Sequence, residues 1–243
     1  MPMSSRGLAD LHLHTSFSDG WPTPQEAVAH AAANTGLDVI AVTDHDTIEG
    51  ALRAAEHAAA TGARVRVIVG EEVSTRDGHV LGLFLEKAVC PGQSAAATVY
   101  EIHCQGGVAI AAHPFWRTEK IGRRFGGVVH GVGWLAAELD FDGIEVENST
   151  PGLGVANVLA QRLADATGGA RIGGSDAHIV GAIGRASTSF PGHTPRALRS
   201  AIQRSLTESH KRRYDSATLL RYAAWGFNHE RISTVGAQLA ARR

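Results

Sequence analysis

Apolar runs too short to be helices alternate along this chain with alanine-rich amphipathic segments, and no other feature narrows the available folds so far. "DVIAVTDHD", "RVRVIVGEEVST", "HVLGLFLE", "GGVAIAAHP", "FDGIEVEN" and "GARIGGSDAH" read as strands, after an N-terminal one in "LADLHLHT". Helix punctuation falls between them. Thr23-Pro24-Gln25-Glu26 offers an N-cap, a proline for the first helical position and a capping-box glutamate, and Gly36 ends that helix. A second helix starts near Asp46 or Thr47, with Glu49 placed to close a capping box and Gly62 as its stop. Further helices are predicted over residues 95–105, 151–167 and 195–205, and Asp77-Gly78 joins two of the strands as a hairpin.

Strand–helix alternation argues for a parallel sheet. About seven strands in a chain of this length favour a closed or nearly closed barrel over an open doubly wound sheet. Residues 1–243 read as one domain, since 44% hydrophobic content can bury a substantial core and no repeat or linker interrupts it. The basic stretch from His210 to Arg213 and the closing Arg242-Arg243 read as solvated surface. A net charge of -1 leaves no basic field along which a nucleic acid could lie, so no stable nucleic-acid complex is expected. Cys90 and Cys104 make no disulfide framework and match no CxxC pattern. With no signal-peptide core and no membrane-length apolar run, the expectation is a cytoplasmic protein without a membrane partner.

The unusual polar residues fall at the C-terminal ends of the expected strands: His12 and His14, His45, Glu72, His113, then Asp176 and His178. In a parallel barrel those ends form one mouth, where catalytic groups collect. Residues i and i+2 of a strand share a side, so His12 and His14 can aim at one point, and so can Asp176 and His178. One such pair could equally be a hydrogen-bonded core feature. Two pairs on different strands, joined by His45, Glu72 and His113, indicate a metal site. Asp19 is also a turn former before Gly20, His45 can cap the helix beside it, and His79 can be an exposed hairpin residue. Asp44 and Asp46 read as orienting or capping groups. His30, His57, His103, His130, His193, His210 and His229 lack ligand spacing and read as core or surface.

"DLHLHTSFSDG", "VTDHD", "GEEVST", "HVLGLFL", "AAHP" and "GSDAH", in this order, resemble the motifs of the polymerase and histidinol phosphatase (PHP) superfamily of metal-dependent phosphoesterases. The resemblance implies a distorted (β/α)7 barrel of the TIM-like kind with two or three divalent ions: manganese, zinc or iron. By similarity, one ion takes His12, His14, Glu72 and Asp176; a second shares Glu72 and adds His79 and His113; a third takes Asp19, His45 and His178. Asp19, His45, Glu72, Asp176 and His178 would then be the catalytic set. Of the neighbours Glu71 and Glu72, the resemblance favours Glu72, with Glu71 the alternative.

The reaction this implies is hydrolysis of a phosphoester by a metal-bridging hydroxide at a trinuclear site, acting on a small phosphomonoester, a nucleotide or a short oligonucleotide. Arg117, in "FWRTEKIGRRFGG", and Arg185 are the candidate phosphate contacts, because a guanidinium can hold phosphate in a bidentate fork. Phe115 and Trp116 read as packing at the rim, with stacking on a substrate ring the other possibility. Two competing readings stand beside this one: an amidohydrolase-like C–N hydrolase, against which Glu72 stands where a bridging lysine is expected, and a non-catalytic metal-binding interaction module.

Overall fold

The computed structural model describes residues 5–116 and 130–240. The chain runs β1 (Arg6–Asp10), α1 (Pro24–Asn34), β2 (Val39–Val42), α2 (Glu49–Thr61), β3 (Arg66–Ser74), β4 (His79–Leu83), α3 (Ala95–Cys104) and β5 (Val108–Ala111). It continues through the single turn α4 (Leu135–Glu138), β6 (Gly143–Asn148), α5 (Gly154–Thr167), β7 (Ala170–Gly174), β8 (Ala186–Pro191), α6 (Pro195–Gln203), β9 (Glu208–Lys211) and α7 (Ser216–Ala240).

The strands form one sheet in the order β7-β6-β5-β4-β3-β2-β1-β8-β9. β1, β2 and β3 are parallel neighbours, as are β5, β6 and β7. The Asp77-Gly78 hairpin makes β4 antiparallel to both β3 and β5, and β8 runs antiparallel to β1. The sheet is therefore mixed where alternation alone argued for a parallel one. Its two ends come together: the Thr188 hydroxyl lies 2.9 Å from both the amide and the carbonyl of Gly173, and Asp176 N donates to His12 O at 2.7 Å. The result is a nearly closed, distorted barrel.

Local chemistry accounts for most boundaries. Thr23 and Glu26 form the full capping box, and Gly62 closes α2 in the left-handed conformation at φ 63°. The expected capping box on α2 is not made: Ile48 occupies the cap position, and Glu49 instead donates its amide to Thr47 Oγ1. Alanine lets the helices sit close, with Ala27 and Ala31 of α1 and Ala51, Ala54 and Ala58 of α2 in one buried cluster with Val42 and Leu13. Gly50 is required at the start of α2, because a Cβ there would lie 2.0 Å from Asp44 Oδ2.

Candidate metal centre

Leu13 is buried between His12 and His14 and bridges to Ala177, so the two imidazoles leave β1 toward one side. Bridge pairing of His45 with Glu72 sets the next two groups face to face. His79 opens β4, His113 follows β5, and Asp176 and His178 follow β7. His113 at φ 24° and Asp176 at φ 53° both occupy the left-handed region, an uncommon backbone for non-glycine residues that gathers at functional sites.

All nine expected ligands meet. Glu72 Oε1 lies 2.9 Å from both His79 Nδ1 and His113 Nε2, while Oε2 lies 3.1 Å from His12 Nε2, 3.2 Å from His14 Nε2 and 3.4 Å from His45 Nδ1. One carboxylate thus faces five imidazoles. Asp176 Oδ1 lies 3.2 Å from His14 Nε2 and 3.5 Å from His12 Nε2, and Asp19 Oδ1 is 3.2 Å from His178 Nε2. Three sets have donor atoms within 4.8 Å of one another: His12, His14, Glu72 and Asp176; His14, Asp19, His45 and His178; and His45, Glu72 and His79. A fourth set, His12, His113 and Glu145, adds a residue that the spacing of motifs did not reveal.

The donor chemistry fits divalent ions. His12 Nε2, His14 Nε2, His45 Nδ1 and His113 Nδ1 are buried without a hydrogen-bond partner among the described residues, a costly arrangement for polar atoms unless something binds there. Imidazole and carboxylate suit zinc, manganese and iron alike. Burial opposes charge on Glu72, Asp176, His14 and His45, and at the first three the opposite charges around them outweigh it. Glu72 is held well below the usual carboxylate range because His12, His79 and His45 outweigh its desolvation, and Asp176 likewise because of His12, His14 and His178. Burial lowers His14, yet the Asp176 and Glu72 carboxylates beside it carry it up to about 10. His45, dominated by burial, falls to about 4.

A surrounding layer fixes these groups. Glu145 Oε1 lies 3.0 Å from His12 Nδ1, and its Oε2 accepts from His113 N and from Asn148 Nδ2. Asn148 Nδ2 and the Thr150 hydroxyl both donate to Asp176 Oδ2 at 3.1 Å. Gly174 leaves room for this layer, since a Cβ there would lie 2.4 Å from Glu145 Oε1. Asp44 takes the Thr15 amide and the hydroxyls of Thr15 and Ser18, each at 2.7 Å, and so holds the loop that carries Asp19. Glu71 faces away and accepts from Val89 N, which leaves Glu72 as the acid in the cluster.

The remaining expectations divide. Arg185 does not serve as a free phosphate contact: its guanidinium donates to the carbonyls of Gly181 and Arg213 and to Asp215 Oδ2, tying the segment before α7 to the barrel. Arg117 lies outside the described residues, as do Lys120, Arg123 and Arg124. Phe115 packs on the core and on Trp134, as expected of a rim residue. His130, read as core or surface, stacks on Trp116 at 4.4 Å and stands edge-on to His79 at 5.6 Å. Trp225 of α7 covers His178 at 4.1 Å and donates to Asp19 O at 2.8 Å.

Residues 10–111 match the PHP domain family and residues 154–207 the PHP-associated family. An uncharacterised protein of Methanocaldococcus jannaschii is 32% identical over 163 residues, covering 63% of this chain and 88% of that protein. The chain belongs to the PHP family. Another relative within reach of this PHP chain is the 5'-3' exoribonuclease Rnm of Escherichia coli, 38% identical over 81 residues; that match covers 32% of this chain and only 27% of the enzyme. Among solved structures, a two-domain Bacteroides vulgatus protein containing a predicted PHP-like metal-dependent phosphoesterase shares the fold with a TM-score of 0.69. The two are 21% identical, over 91% of this chain and 70% of that one.

Proposed function

We propose that this PHP protein is a metal-dependent phosphoesterase that hydrolyses a small phosphomonoester, a nucleotide or a short oligonucleotide. The observation that carries the reading is the Glu72 carboxylate, buried and faced by five imidazoles, beside a second acid, Asp176, that shares two of them. In this reading His12, His14, Glu72 and Asp176 hold one ion, Glu72, His79 and His113 a second, and Asp19, His45 and His178 a third, with manganese, zinc or iron as the metals. Ions so held supply positive charge to a phosphoryl oxygen and make hydroxide available near neutral pH.

The protein's own groups prepare that chemistry. With Nδ1 of His12 protonated, Glu145 Oε1 accepts its hydrogen bond, and that tautomer leaves Nε2, on the side of Glu72 and Asp176, able to ligate. Asn148 and Thr150 occupy Asp176 Oδ2, which leaves Oδ1 for the cluster. His79 and His113 flank Glu72 Oε1, so the two oxygens of one carboxylate serve different neighbours. Arg117 stays a proposed phosphate contact on its chemistry alone.

The reading extends to the whole chain as one catalytic domain. The cytoplasm suits its two exposed free cysteines, and no described helix is long and apolar enough to cross a membrane. The deciding experiment is a phosphate-release screen over phosphomonoesters, nucleotides and short oligonucleotides after manganese, zinc or iron loading, with elemental analysis alongside. Metal-dependent release is expected. Retained metal with no release from any of them, or with cleavage of amides instead, would overturn the reading.

A further inference from the structure

We propose that Trp225 of α7 is a positioning residue for one ion alone, the one assigned to Asp19, His45 and His178, and that the seating of α7 sets how tightly that ion is held. The inference rests on the three-ion assignment above and adds what governs its most open site.

The sites differ in what encloses them. The side chains of His12, His14, Glu72 and Asp176 are at most 3% exposed, whereas those of Asp19 and His45 are 19% and 28% exposed. Asp19 also sits on the loop between β1 and α1, where no ladder of strand hydrogen bonds fixes it. Asp44 holds that loop at Thr15 and Ser18. At Asp19 itself, Trp225 Nε1 donates to the backbone carbonyl at 2.8 Å.

The same helix reaches His178. Thr218, Tyr222 and Trp225 stand at i, i+4 and i+7, so they share the face of α7 turned to the barrel, while Leu220 and Phe227 face outward and are 72% exposed. The Tyr222 hydroxyl donates to Asp176 O at 3.0 Å, and that carbonyl also stands 2.9 Å from His178 Nδ1. With Nδ1 protonated, the carbonyl accepts from it too, and Nε2, 3.2 Å from Asp19 Oδ1, is the nitrogen able to ligate. The His178 ring is packed between His14, at 4.2 Å, and Trp225, at 4.1 Å. One face of α7 thus holds the backbone of Asp19, the carbonyl that orients His178 and the His178 ring. Asp19 and His178 lie within the segments matched to the two families and Tyr222 and Trp225 beyond both, so this support is separate from the motifs that carry the ligands.

The test is a calorimetric titration of manganese into the chelator-treated full chain, with elemental analysis to count the ions. W225A removes both the ring and the N–H, and is expected to weaken one of three ions by about ten- to a hundredfold while the other two keep their wild-type affinity. W225F keeps a ring on His178 and should fall between W225A and wild type. L220A, on the outward face of the same helix, is expected to match wild type. A second readout is tryptophan emission, since manganese quenches an indole close to it. The part of the emission that W225F lacks should be quenched only as the last of the three ions is added. Wild-type affinity for every ion in W225A, equal weakening of all three, fewer than three ions in wild type, or quenching of Trp225 by the first ion would each overturn the proposal. None of these readouts needs turnover: if W225A loses one ion of three while no phosphoester is hydrolysed, the phosphoesterase reading fails and the role of Trp225 stands.

Discussion

Glu72 concentrates the chemistry of the centre in one side chain, since removing its charge removes the common neighbour of five imidazoles. Glu72→Gln keeps the shape but removes the negative charge and replaces one oxygen by an amide nitrogen that cannot ligate. Elemental analysis should then find fewer ions per chain, and phosphate release should fall by at least about a hundredfold; wild-type metal content at an undiminished rate would contradict the role. Glu71→Gln, one residue away but hydrogen-bonded to Val89 N, should leave both quantities unchanged. Glu145 acts through His12. Glu145→Gln should lower metal affinity by about ten- to a hundredfold, read by competition with a chromophoric chelator, and an unaltered affinity would show that His12 needs no such partner. The nine proposed ligands were legible because pairs such as His12 and His14 recur at strand spacing and strand ends are legible as the limits of apolar runs. Glu145, Asn148 and Thr150 were not: they lie within or just after the run "FDGIEVEN", where a buried acid has no paired spacing to mark it and its role appears only once β6 is set beside His12 and Asp176.

Elements with a clear period were legible in the same way, and those without one were not. β8 is a run of small hydroxyl residues whose polar atoms are satisfied by neighbours such as Gly173, and β9 is polar throughout, so neither shows the alternation of a strand with one buried face. α7 carries no strong apolar stripe, yet it supplies Tyr222, which donates to Asp176 O, and Trp225, which covers His178. Its first turn is capped by Asp215, whose carboxylate accepts from Thr218 N and from Arg185. The Thr218 amide hydrogen bond is the main cause that holds Asp215 down at about 2, below its ordinary 3.8. A lowered carboxylate stabilises the folded state fully above its unfolded value and loses that contribution as pH falls through the folded one. Asp215→Ala should therefore speed hydrogen exchange at α7 amides relative to wild type at pH 7, with the gap narrowing from about pH 4 toward pH 2. A gap of constant width across that range would mean that the charge of Asp215 does not hold the helix.

At the scale of the molecule, the centre and the closure of the barrel are one problem. Its donors come from the ends of β1, β2, β5 and β7 and from within β3 and β4, so ions held there would tie β7, at one end of the sheet, across the barrel to β1, a junction also made by contacts such as Asp176 N with His12 O. Barrel closure was legible from strand number and length, whereas the antiparallel β8 that completes it was not, because its pairing with β1 spans nearly the whole chain and leaves no local trace. A ligand that binds only the folded state stabilises it by mass action, by about 2.7 kcal/mol at a hundred times its Kd. For a chain of this size that corresponds to a rise in Tm of roughly 5–10 °C. Manganese or zinc added to chelator-treated protein should produce a shift of that order in wild type and a much smaller one in Glu72→Gln, followed by thermal scanning at fixed pH. Equal shifts in the two proteins would place the stabilising ions somewhere other than between these strands, and would separate the metal centre from the closure of the fold.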